Sequence, residues 1–326
     1  MSKILVTGGS GFLAGHCIAA ALAAGHEVCA TLRNLDKVPQ VRAMTVAAGV
    51  DPDHGLTFHA ADLGRDNGWG DAVAGCDYVL HTASPFPPVQ PEDPNDLIIP
   101  ARDGTLRVLR AAGRAGVRRV VLTSSFAAVG YGPAQASHVY TEEDWTPVDA
   151  PNQPYILSKT IAERAAWDFV RESGTPELSV VNPTGIFGPA LGPQLSTSMN
   201  IIRGLLDGAF PPELPDMWFG VVDVRDVADL HLRAMTQPAA AGERFIAVSG
   251  EPLSLLEVAT ILREGLGDLA ARVPSRGAPP SPNANRRRSS GAKARQRLGW
   301  SPRSGKEAII ASAESLIRLK LLQTLD

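Results

Sequence analysis

Residues 3–15 read KILVTGGSGFLAG, and this stretch carries the strongest fold signal of the chain. A short apolar run precedes a glycine-rich loop, and an alanine-rich segment without proline follows it, which is typical of a strand that turns into a helix. Gly8 permits a tight turn, and Gly11 lets the backbone approach a pyrophosphate without a Cβ atom in the way. Small Ala14 and Gly15 let the helix pack closely on a sheet, and its N-terminus offers N–H groups to phosphates. The predicted dinucleotide site includes Gly8, Gly11, Phe12 and Leu13.

The end of the second predicted strand, residues 27–32, indicates which dinucleotide binds. In proteins that bind NAD, an acid at this point holds the ribose 2′-hydroxyl. This chain has no acid there, and Arg33 and Lys37 follow instead. A guanidinium and an ammonium suit a phosphate. We therefore predict NADP(H), with Arg33 and Lys37 at the 2′-phosphate, while Asp36 leaves NAD as the alternative.

Strand and helix patterns alternate along the first 182 residues. Further strands are predicted at residues 56–60, 78–82, 117–123 and 178–182, and a helix at residues 94–115 carries apolar residues at helical spacing. This alternation predicts an α/β protein with a doubly wound parallel sheet, the Rossmann architecture. Ligands of such a sheet bind at the carboxyl ends of the strands.

The alternation weakens after Asn182, where prolines cluster. Loops and short helices are therefore predicted to build a smaller C-terminal substrate lobe. Residues 221–228 and 244–248 are predicted strand pieces that rejoin the larger domain. The predicted division gives an NADP-binding Rossmann domain of residues 1–182 plus about 219–250, and a substrate-binding lobe of residues 183–218 plus about 251–326.

Composition favours an ordinary globular enzyme. The 326 residues are 44% hydrophobic and 20% charged, which excludes a disordered chain and allows a large core. A net charge of −3 gives no overall attraction to nucleic acid or an anionic membrane. Cys17, Cys29 and Cys76 lack C-x-x-C spacing, and no metal site, signal peptide or membrane span is recognisable. We expect reduced thiols in a cytoplasmic monomer or homodimer.

Two groups of polar residues predict a catalytic site. Ser124 and Ser125 follow the strand at residues 117–123, and Tyr155 and Lys159 lie one turn apart at the start of a helix. A phenol is a weak acid at neutral pH unless a cation stabilises its phenolate, and Lys159 would be that cation. Tyr155 would protonate a carbonyl oxygen as hydride reaches the carbon, and Ser125 would orient that oxygen. Lys159 would also reach ribose hydroxyls; the alternative for the serines is a capping pair at a strand end.

At these residues the chain resembles the extended short-chain dehydrogenases/reductases. The similarity is to the branch of dihydroflavonol 4-reductase, cinnamoyl-CoA reductase and the NADPH-dependent methylglyoxal and aldehyde reductases, and it covers essentially the whole chain. Beyond the motifs above, its markers are Asp62-Leu63, TASPF at residues 82–86, Asn182-Pro183, FGP at residues 187–189 and VDVRDVA at residues 222–228.

This resemblance implies further cofactor contacts. Asp62 and Leu63 would border the adenine, and Pro183 would meet the carboxamide. Ser198 would contact the cofactor from the loop beyond. The remaining residues of the implied cofactor site are Ala83, Ser84, Pro85, Thr123 and Ser124.

The substrate is predicted to be a small carbonyl compound, an aldehyde or a ketone. Its pocket would be apolar or aromatic, although the same residues can also be core residues. The predicted walls are Phe86, Phe126, Tyr131 and Phe187, with Met217 or Trp218 as further members.

Several alternatives stay open. A nucleotide-sugar epimerase or dehydratase would share the glycine loop and the Ser, Tyr and Lys set, and a non-catalytic NADP-binding sensor would keep only the cofactor site. His81 and His138 are interpreted as strand-end or loop histidines rather than proton donors. The run Arg286, Arg287 and Arg288 is interpreted as a solvated surface rather than a nucleic-acid or phosphate patch.

Overall fold

The computed structural model describes residues 1–85, 91–133, 137–281 and 286–323. Phe86, a predicted substrate residue, lies outside the described residues. The strands are β1 (Lys3–Val6), β2 (Glu27–Leu32), β3 (Leu56–Ala60), β4 (Tyr78–His81), β5 (Arg119–Thr123), β6 (Glu177–Pro183), β7 (Gly185–Phe187), β8 (Glu213–Leu214), β9 (Trp218–Phe219), β10 (Val221–Asp223), β11 (Arg244–Ala247), β12 (Leu253–Ser254) and β13 (Arg276–Gly277).

Helices connect and cover these strands. The α-helices are α1 (Phe12–Ala23), α2 (Val38–Ala47), α3 (Trp69–Val73), α4 (Asn95–Arg114), α5 (Pro154–Ser173), α6 (Thr197–Asp207), α7 (Val224–Thr236), α8 (Leu255–Leu266), α9 (Ala292–Leu298) and α10 (Gly305–Arg318). None of the helices within the described ranges is long and apolar enough to cross a membrane.

The main sheet has seven parallel strands in the order β11-β6-β5-β4-β1-β2-β3. The chain builds outward from β1 to β3, then returns to β4 beside β1 and builds outward on the other side. The order therefore reverses between β1 and β4, which is the point where doubly wound sheets bind ligands. This architecture confirms the predicted Rossmann fold.

Both faces of the sheet are buried, as parallel sheets require. Ile4 and Val6 of β1 belong to a large apolar cluster with α1, α7 and the C-terminal helices, whereas Leu5 between them faces a second cluster under α3, α4 and α5. Successive side chains of a strand point to opposite faces, so one short apolar run supplies both cores. The three cysteines are buried and free of disulfides.

Residues 221–228 differ from the prediction. Only Val221–Asp223 form a strand, and it pairs with β7 in a separate two-stranded sheet rather than with the main sheet. The Asp223 carboxylate accepts a hydrogen bond from the backbone N–H of Arg225 at 2.9 Å, so it caps α7, which takes up the rest of the segment. Residues 244–247 do rejoin the main sheet, as β11 beside β6.

The C-terminal helix holds the loop after β7. Ser312 and Ser315 of α10 accept hydrogen bonds from the backbone N–H groups of Gly188 and Ala190, at 2.7 and 2.8 Å. The apolar cluster that contains Ile4 continues into α10 through Leu316. A shared core thus joins the sheet to the C-terminal region, and the division into two domains stays a prediction.

Three buried histidines should make the stability depend on pH. Burial lowers the pKa of His16 to about 4, of His81 to about 3 and of His231 to about 4. The unfolded chain, with histidine pKa values near 6.5, therefore takes up protons first as the pH falls. The histidine contribution is complete above about pH 6.5 and is lost as the pH falls toward 4. At about 1.4 kcal/mol per histidine and pH unit, we expect the free energy of unfolding in urea to be about 3 to 4 kcal/mol lower at pH 5.5 than at pH 7.

His231→Gln is the matched variant for this measurement. It removes one of the three titrations, so the difference between the two pH values should shrink by about a third, roughly 1 kcal/mol. A free energy of unfolding that stays constant from pH 7 to pH 5.5 in the parental protein would contradict the prediction, because ordinary carboxylates remain ionised throughout this window.

Candidate active site

The glycine-rich loop joins β1 to α1 and is shaped by two close approaches. Gly8 has a φ of +69°, which favours glycine, and a Cβ atom there would lie 3.0 Å from the Cβ of Ala83. A Cβ on Gly9 would lie 2.9 Å from the Cβ of Ala30 in β2. Gly9 therefore packs the loop onto the sheet. Ala14 and Gly15 were predicted to let α1 pack closely on the sheet, which was wrong for Gly15, since it faces Met44 of α2.

Polar side chains fasten the loop to neighbouring strands. Thr31 at the end of β2 accepts a hydrogen bond from Gly8 N–H at 3.1 Å, and its carbonyl accepts one from Gly9 N–H at 2.8 Å. Thr7 shares a 2.8 Å hydrogen bond with His81 of β4, and its carbonyl accepts one from the Thr82 hydroxyl at 2.6 Å. The loop is thus held over the reversal point between β1 and β4.

The N-terminus of α1 fits a pyrophosphate. Gly11 occupies the capping position, no side chain caps the helix, and the first turn contains no acid. The first N–H groups of a helix have no partner inside it and need an acceptor, which an anion can provide. Gly8, Gly11, Phe12 and Leu13 lie in or just before the first turn of this helix, and their role at the phosphates of a dinucleotide stays a prediction.

Arg33 and Lys37 lie just beyond the carboxyl end of β2. Arg33 is exposed and Lys37 is half-buried. Asp36 accepts a hydrogen bond from the Asn34 amide at 2.9 Å, while its own backbone N–H donates to the Asn34 side chain at 2.8 Å. The one acid of this turn is therefore engaged with Asn34, and within the described residues neither cation has an ion pair.

Asp62 and Leu63 follow β3 at the same edge of the sheet. The Asp62 carboxylate accepts a hydrogen bond from Gly64 N–H at 2.8 Å, and its backbone carbonyl accepts one from the Trp69 indole at 3.0 Å. Leu63 packs against Gly104 of α4, where a Cβ atom would lie 3.0 Å from the Leu63 Cβ. This turn is rigidly held, and its role at the adenine stays a prediction.

Ser125 and Tyr155 meet in the structure. Ser125 follows β5 and accepts a hydrogen bond from Ala127 N–H at 3.1 Å, which fixes its side chain. Tyr155 lies in the first turn of α5, because Pro154 starts that helix, and its hydroxyl lies 3.4 Å from Ser125 Oγ. This is long for a hydrogen bond between hydroxyls, and catalytic hydrogen bonds often tighten only when substrate binds.

Lys159 lies one helical turn after Tyr155, near the N-terminal end of α5. Its ammonium makes no hydrogen bond or ion pair with the residues that the structure describes. Burial lowers the pKa of Lys159 to about 8, and the nearby Glu163 carboxylate opposes this shift. The group is therefore mostly a cation at neutral pH.

The pKa of Tyr155 moves opposite to the direction that the sequence predicted. Burial raises it, and the hydrogen bond to Ser125 opposes the rise. Loss of solvent around the phenolate thus outweighs any stabilisation by Lys159. Tyr155 is a neutral phenol at physiological pH, in the form that can give up a proton.

A buried ionic network behind the site was missed from the sequence. The Glu163 carboxylate is fully buried and contacts the Ser124 hydroxyl at 2.5 Å, the Asn182 amide at 2.7 Å and the Arg244 guanidinium at 2.5 Å. Asn182 also donates to the Ser125 carbonyl at 3.2 Å. Glu163 lies four residues after Lys159, so the spacing could have suggested that it shares their face of α5.

The two residues beside Ser125 are already engaged with the protein. Ser124 is buried and bound to Glu163, and Thr123 shares a 2.7 Å hydrogen bond with His231. The predicted cofactor residues Ala83 and Ser84 line a narrow cleft together with Thr123, Ser124 and Lys159. Pro85 follows Ser84 and is half-buried, and Pro183 is buried at the end of β6.

A cavity of about 500 Å³ lies beside the first turn of α5. Phe187 lines it and stacks on Phe219 at a ring distance of 5.7 Å. Ser198 also lines it, but from α6 rather than from a loop. The other walls include Tyr131, Ile156, Met217, Trp218 and Arg287.

Phe126 does not line this cavity among the described residues. It is buried in a small cluster with Val129, Tyr140, Ile246 and Val248, and it contacts Tyr131 edge to face at 6.3 Å. Its ring supports the cavity wall from behind. Phe126 is therefore a core residue, the alternative that the sequence left open, rather than a wall of the substrate pocket.

The remaining polar candidates have structural partners. His138 pairs with Asp144 at 3.0 Å, and His81 is buried at the end of β4. Arg286 and Arg288 are exposed, as expected for a solvated run, and Arg288 pairs with Glu251. The interpretation was wrong for Arg287, which is half-buried and lines the cavity.

The chain matches a known protein family over most of its length. The model of the NAD dependent epimerase/dehydratase family matches residues 4–247. This range includes all of the main sheet except Lys3, the first residue of β1.

Two relatives illustrate the similarity. The chain is 37% identical over 267 residues to a cinnamoyl-CoA reductase of Medicago truncatula, with 80% of each protein covered. It is 30% identical to the NADPH-dependent methylglyoxal reductase of Saccharomyces cerevisiae, with 98% of this chain and 99% of that protein covered.

A solved structure has the same architecture over nearly its whole length. The yeast methylglyoxal/isovaleraldehyde reductase, crystallised as a complex with NADPH, superposes with a TM-score of 0.83 at 29% identity and covers 98% of this chain. A UDP-glucose 4-epimerase of Thermotoga maritima superposes with a TM-score of 0.76 at 22% identity, which shows only the shared fold.

Proposed function

Because this chain belongs to the NAD dependent epimerase/dehydratase family, we propose that it is a reductase that converts a small aldehyde or ketone to an alcohol, with Tyr155 as the proton donor. It is an NADP-dependent oxidoreductase, as its NADPH-dependent relatives are. The observation that carries the proposal is the meeting of Tyr155 and Ser125, 3.4 Å apart, at the carboxyl edge of the sheet and beside the cavity.

The residues of the chain fit NADP in distinct places. The uncapped N-terminus of α1 would hold the pyrophosphate, and Arg33 with Lys37 would hold the 2′-phosphate. Lys159, whose ammonium has no partner among the described residues, would bind ribose hydroxyls. When bound, the nicotinamide supplies the hydride that reduces the carbonyl carbon.

The side chains then handle the developing charge on the carbonyl oxygen. Ser125 would donate a hydrogen bond to that oxygen, and Tyr155 would transfer its phenolic proton to it. Lys159 would stabilise the resulting phenolate, since its pKa of about 8 keeps it mostly protonated at neutral pH. Ser125 is suited to orientation because its Oγ is already fixed by Ala127 N–H.

An assay of NADPH consumption tests the proposal. We expect NADPH oxidation with at least one member of a panel that contains methylglyoxal, isovaleraldehyde, benzaldehyde and a dihydroflavonol. Conversion of a UDP-sugar without net NADPH consumption would support the epimerase alternative instead. Binding of NADPH without turnover of any panel member or sugar would support the sensor alternative.

Arg33→Ala tests the assignment of the 2′-phosphate. A hydrogen bond to a charged group contributes about 1.5 to 3 kcal/mol, so the Kd for NADPH should rise by about 10- to 150-fold. The Kd for NADH should change by less than about 3-fold, because NADH has no phosphate at this position. Arg114→Ala, an exposed arginine at the far end of α4, is the matched control and should leave both constants unchanged. Equal losses for NADPH and NADH would remove Arg33 from the 2′-phosphate site.

A further inference from the structure

We propose that Arg287 recognises a carboxylate on the substrate, so that the carbonyl compounds reduced best by this protein carry a single negative charge away from the reacting carbonyl. The inference rests on the proposed reductase function and adds the substrate class to it. It is carried by the position of one arginine in the wall of the cavity.

The backbone around Arg287 brings this side chain into the cavity wall, whereas Arg286 stacks on the ring of the wall residue Trp218 at 4.3 Å and Arg288 pairs with Glu251. Residues 288–290 are fixed by Tyr140, whose N–H donates to the Arg288 carbonyl at 2.8 Å and whose carbonyl accepts from Ser290 N–H at 2.9 Å. Arg287 itself has a φ of +42°, in the left-handed region that L residues rarely adopt. Arg286 and Arg288 are exposed. Such backbone strain in a residue other than glycine tends to occur at functional sites.

The guanidinium of Arg287 is held against the cavity wall. Its Nε donates to the Gly130 carbonyl at 3.1 Å, and its Cζ lies 4.3 Å from the centre of the Tyr131 ring. Stacking and the hydrogen bond to Gly130 help to fix the plane of the group, so less side-chain entropy is lost when it binds a ligand. Gln153 and Ile156, which flank Tyr155 on the chain, line the same cavity, so this wall lies beside the proposed proton donor.

Arg287 is the only charged residue among the described residues that line the cavity. The other walls are mostly aromatic or aliphatic, and their polar side-chain groups are the amides of Asn152 and Gln153, the hydroxyls of Tyr131 and Ser198 and the indole of Trp218. In such surroundings a buried anion needs a paired cation, and a single guanidinium balances a single negative charge. Its planar donors also match the two oxygens of a carboxylate. One lining cation among the described residues favours a monocarboxylate over a phosphate dianion.

Matched pairs of neutral and charged substrates test the inference. The substrates are ω-oxo acids of about four to eight carbons and their methyl esters, a length series that locates the spacing between carbonyl and cation. We expect the parental enzyme to prefer the acid over its ester at one or more lengths by about tenfold or more in kcat/KM. Arg287→Gln should lower kcat/KM for that acid by about 10- to 100-fold, mostly through KM, and change the ester by less than about 3-fold.

Two controls separate recognition from a structural effect. Arg288→Gln changes an exposed neighbour that pairs with Glu251 and does not line the cavity, so it should leave both substrates unaffected, while Arg287→Lys should recover part of the preference for the acid. In a binding measurement without turnover, hexanoate should raise the Tm of the NADP⁺-loaded parental protein more than hexanamide does, and Arg287→Gln should abolish the difference.

The outcomes are distinct. Equal losses for acid and ester in Arg287→Gln, a parental preference for the esters, or an equal Tm shift with hexanoate and hexanamide would each overturn carboxylate recognition. Failure of the proposed function looks different, because then neither acids nor esters nor the neutral aldehydes of the panel would consume NADPH, whatever hexanoate does to the Tm.

Discussion

Replacement of Tyr155 by phenylalanine is expected to lower kcat for the best aldehyde by about 10²- to 10⁴-fold, the usual contribution of a positioned acid. The substitution keeps the ring and removes only the hydroxyl that lies 3.4 Å from Ser125 Oγ. Burial raises the pKa of this phenol, so the parental enzyme holds the proton at neutral pH and the variant has none to give. NADPH affinity, measured by fluorescence titration, should stay nearly constant because the ring still fills its place.

Tyr140→Phe is the matched control for the loss of a phenol. Tyr140 is buried, and its hydroxyl donates to the Gly132 carbonyl at 3.4 Å. It should retain kcat within about 3-fold, since its hydroxyl has no catalytic assignment. Lys159→Ala should lower both kcat and NADPH affinity, because its ammonium is assigned to two tasks. A Tyr155→Phe enzyme with nearly parental kcat would show that another group supplies the proton.

Glu163→Ala should destabilise the fold by about 3 to 5 kcal/mol, the cost of leaving a buried charge without its partner. The substitution removes the only carboxylate that the described residues offer to the buried Arg244 side chain and releases Ser124 and Asn182. The free energy of unfolding in urea measures this effect. Glu163→Ala with Arg244→Met removes both charges and should restore much of the stability.

Glu177→Ala provides the comparison at a second arginine of the same sheet. Arg119 is buried like Arg244, but its partner Glu177 is half-exposed, and the guanidinium also donates to the backbone carbonyls of Ala234 and Gln237. We expect a loss of about 1 kcal/mol or less there. Similar losses at Glu163 and Glu177 would contradict the view that burial of the Glu163 pair sets its importance.

The main sheet could be predicted from the sequence because each strand is a short apolar run between turn residues. Residues 27–32 and 56–60 form strands with the predicted bounds, and β4 differs by one residue at its end. Residues 221–228 could not be assigned in this way, since their valines favour a strand. The strand ends at Asp223 and a helix begins at Val224, because the Asp223 carboxylate caps that helix and Val227 is buried in the main core.

In the candidate site too, residues that local spacing brings together could be predicted, and residues joined by distant contacts could not. Tyr155 and Lys159 could be paired from a spacing of four residues, and Ser125 from its place after a strand. The hydrogen bond between Glu163 and Arg244 joins residues 81 positions apart, so no local sequence pattern predicts it. Arg287 was interpreted as solvated because a run of three arginines does not reveal the positive φ of the middle one, the one of the three that lines the cavity.

The pairing of Glu163 with Arg244 also sets an order of events during protein synthesis. A ribosome that has added Pro183 has completed Ser125, Tyr155 and Lys159, yet β6 still lacks its neighbour β11 and Glu163 lacks its counter-ion. Translation from Pro183 to Ala247 takes roughly 3 to 13 s at about 5–20 residues per second. During this interval the nascent chain exposes an unpaired strand edge, which is the kind of surface that chaperones bind. A transcript cut short before Arg244 would therefore yield an inactive, aggregation-prone product rather than a smaller enzyme.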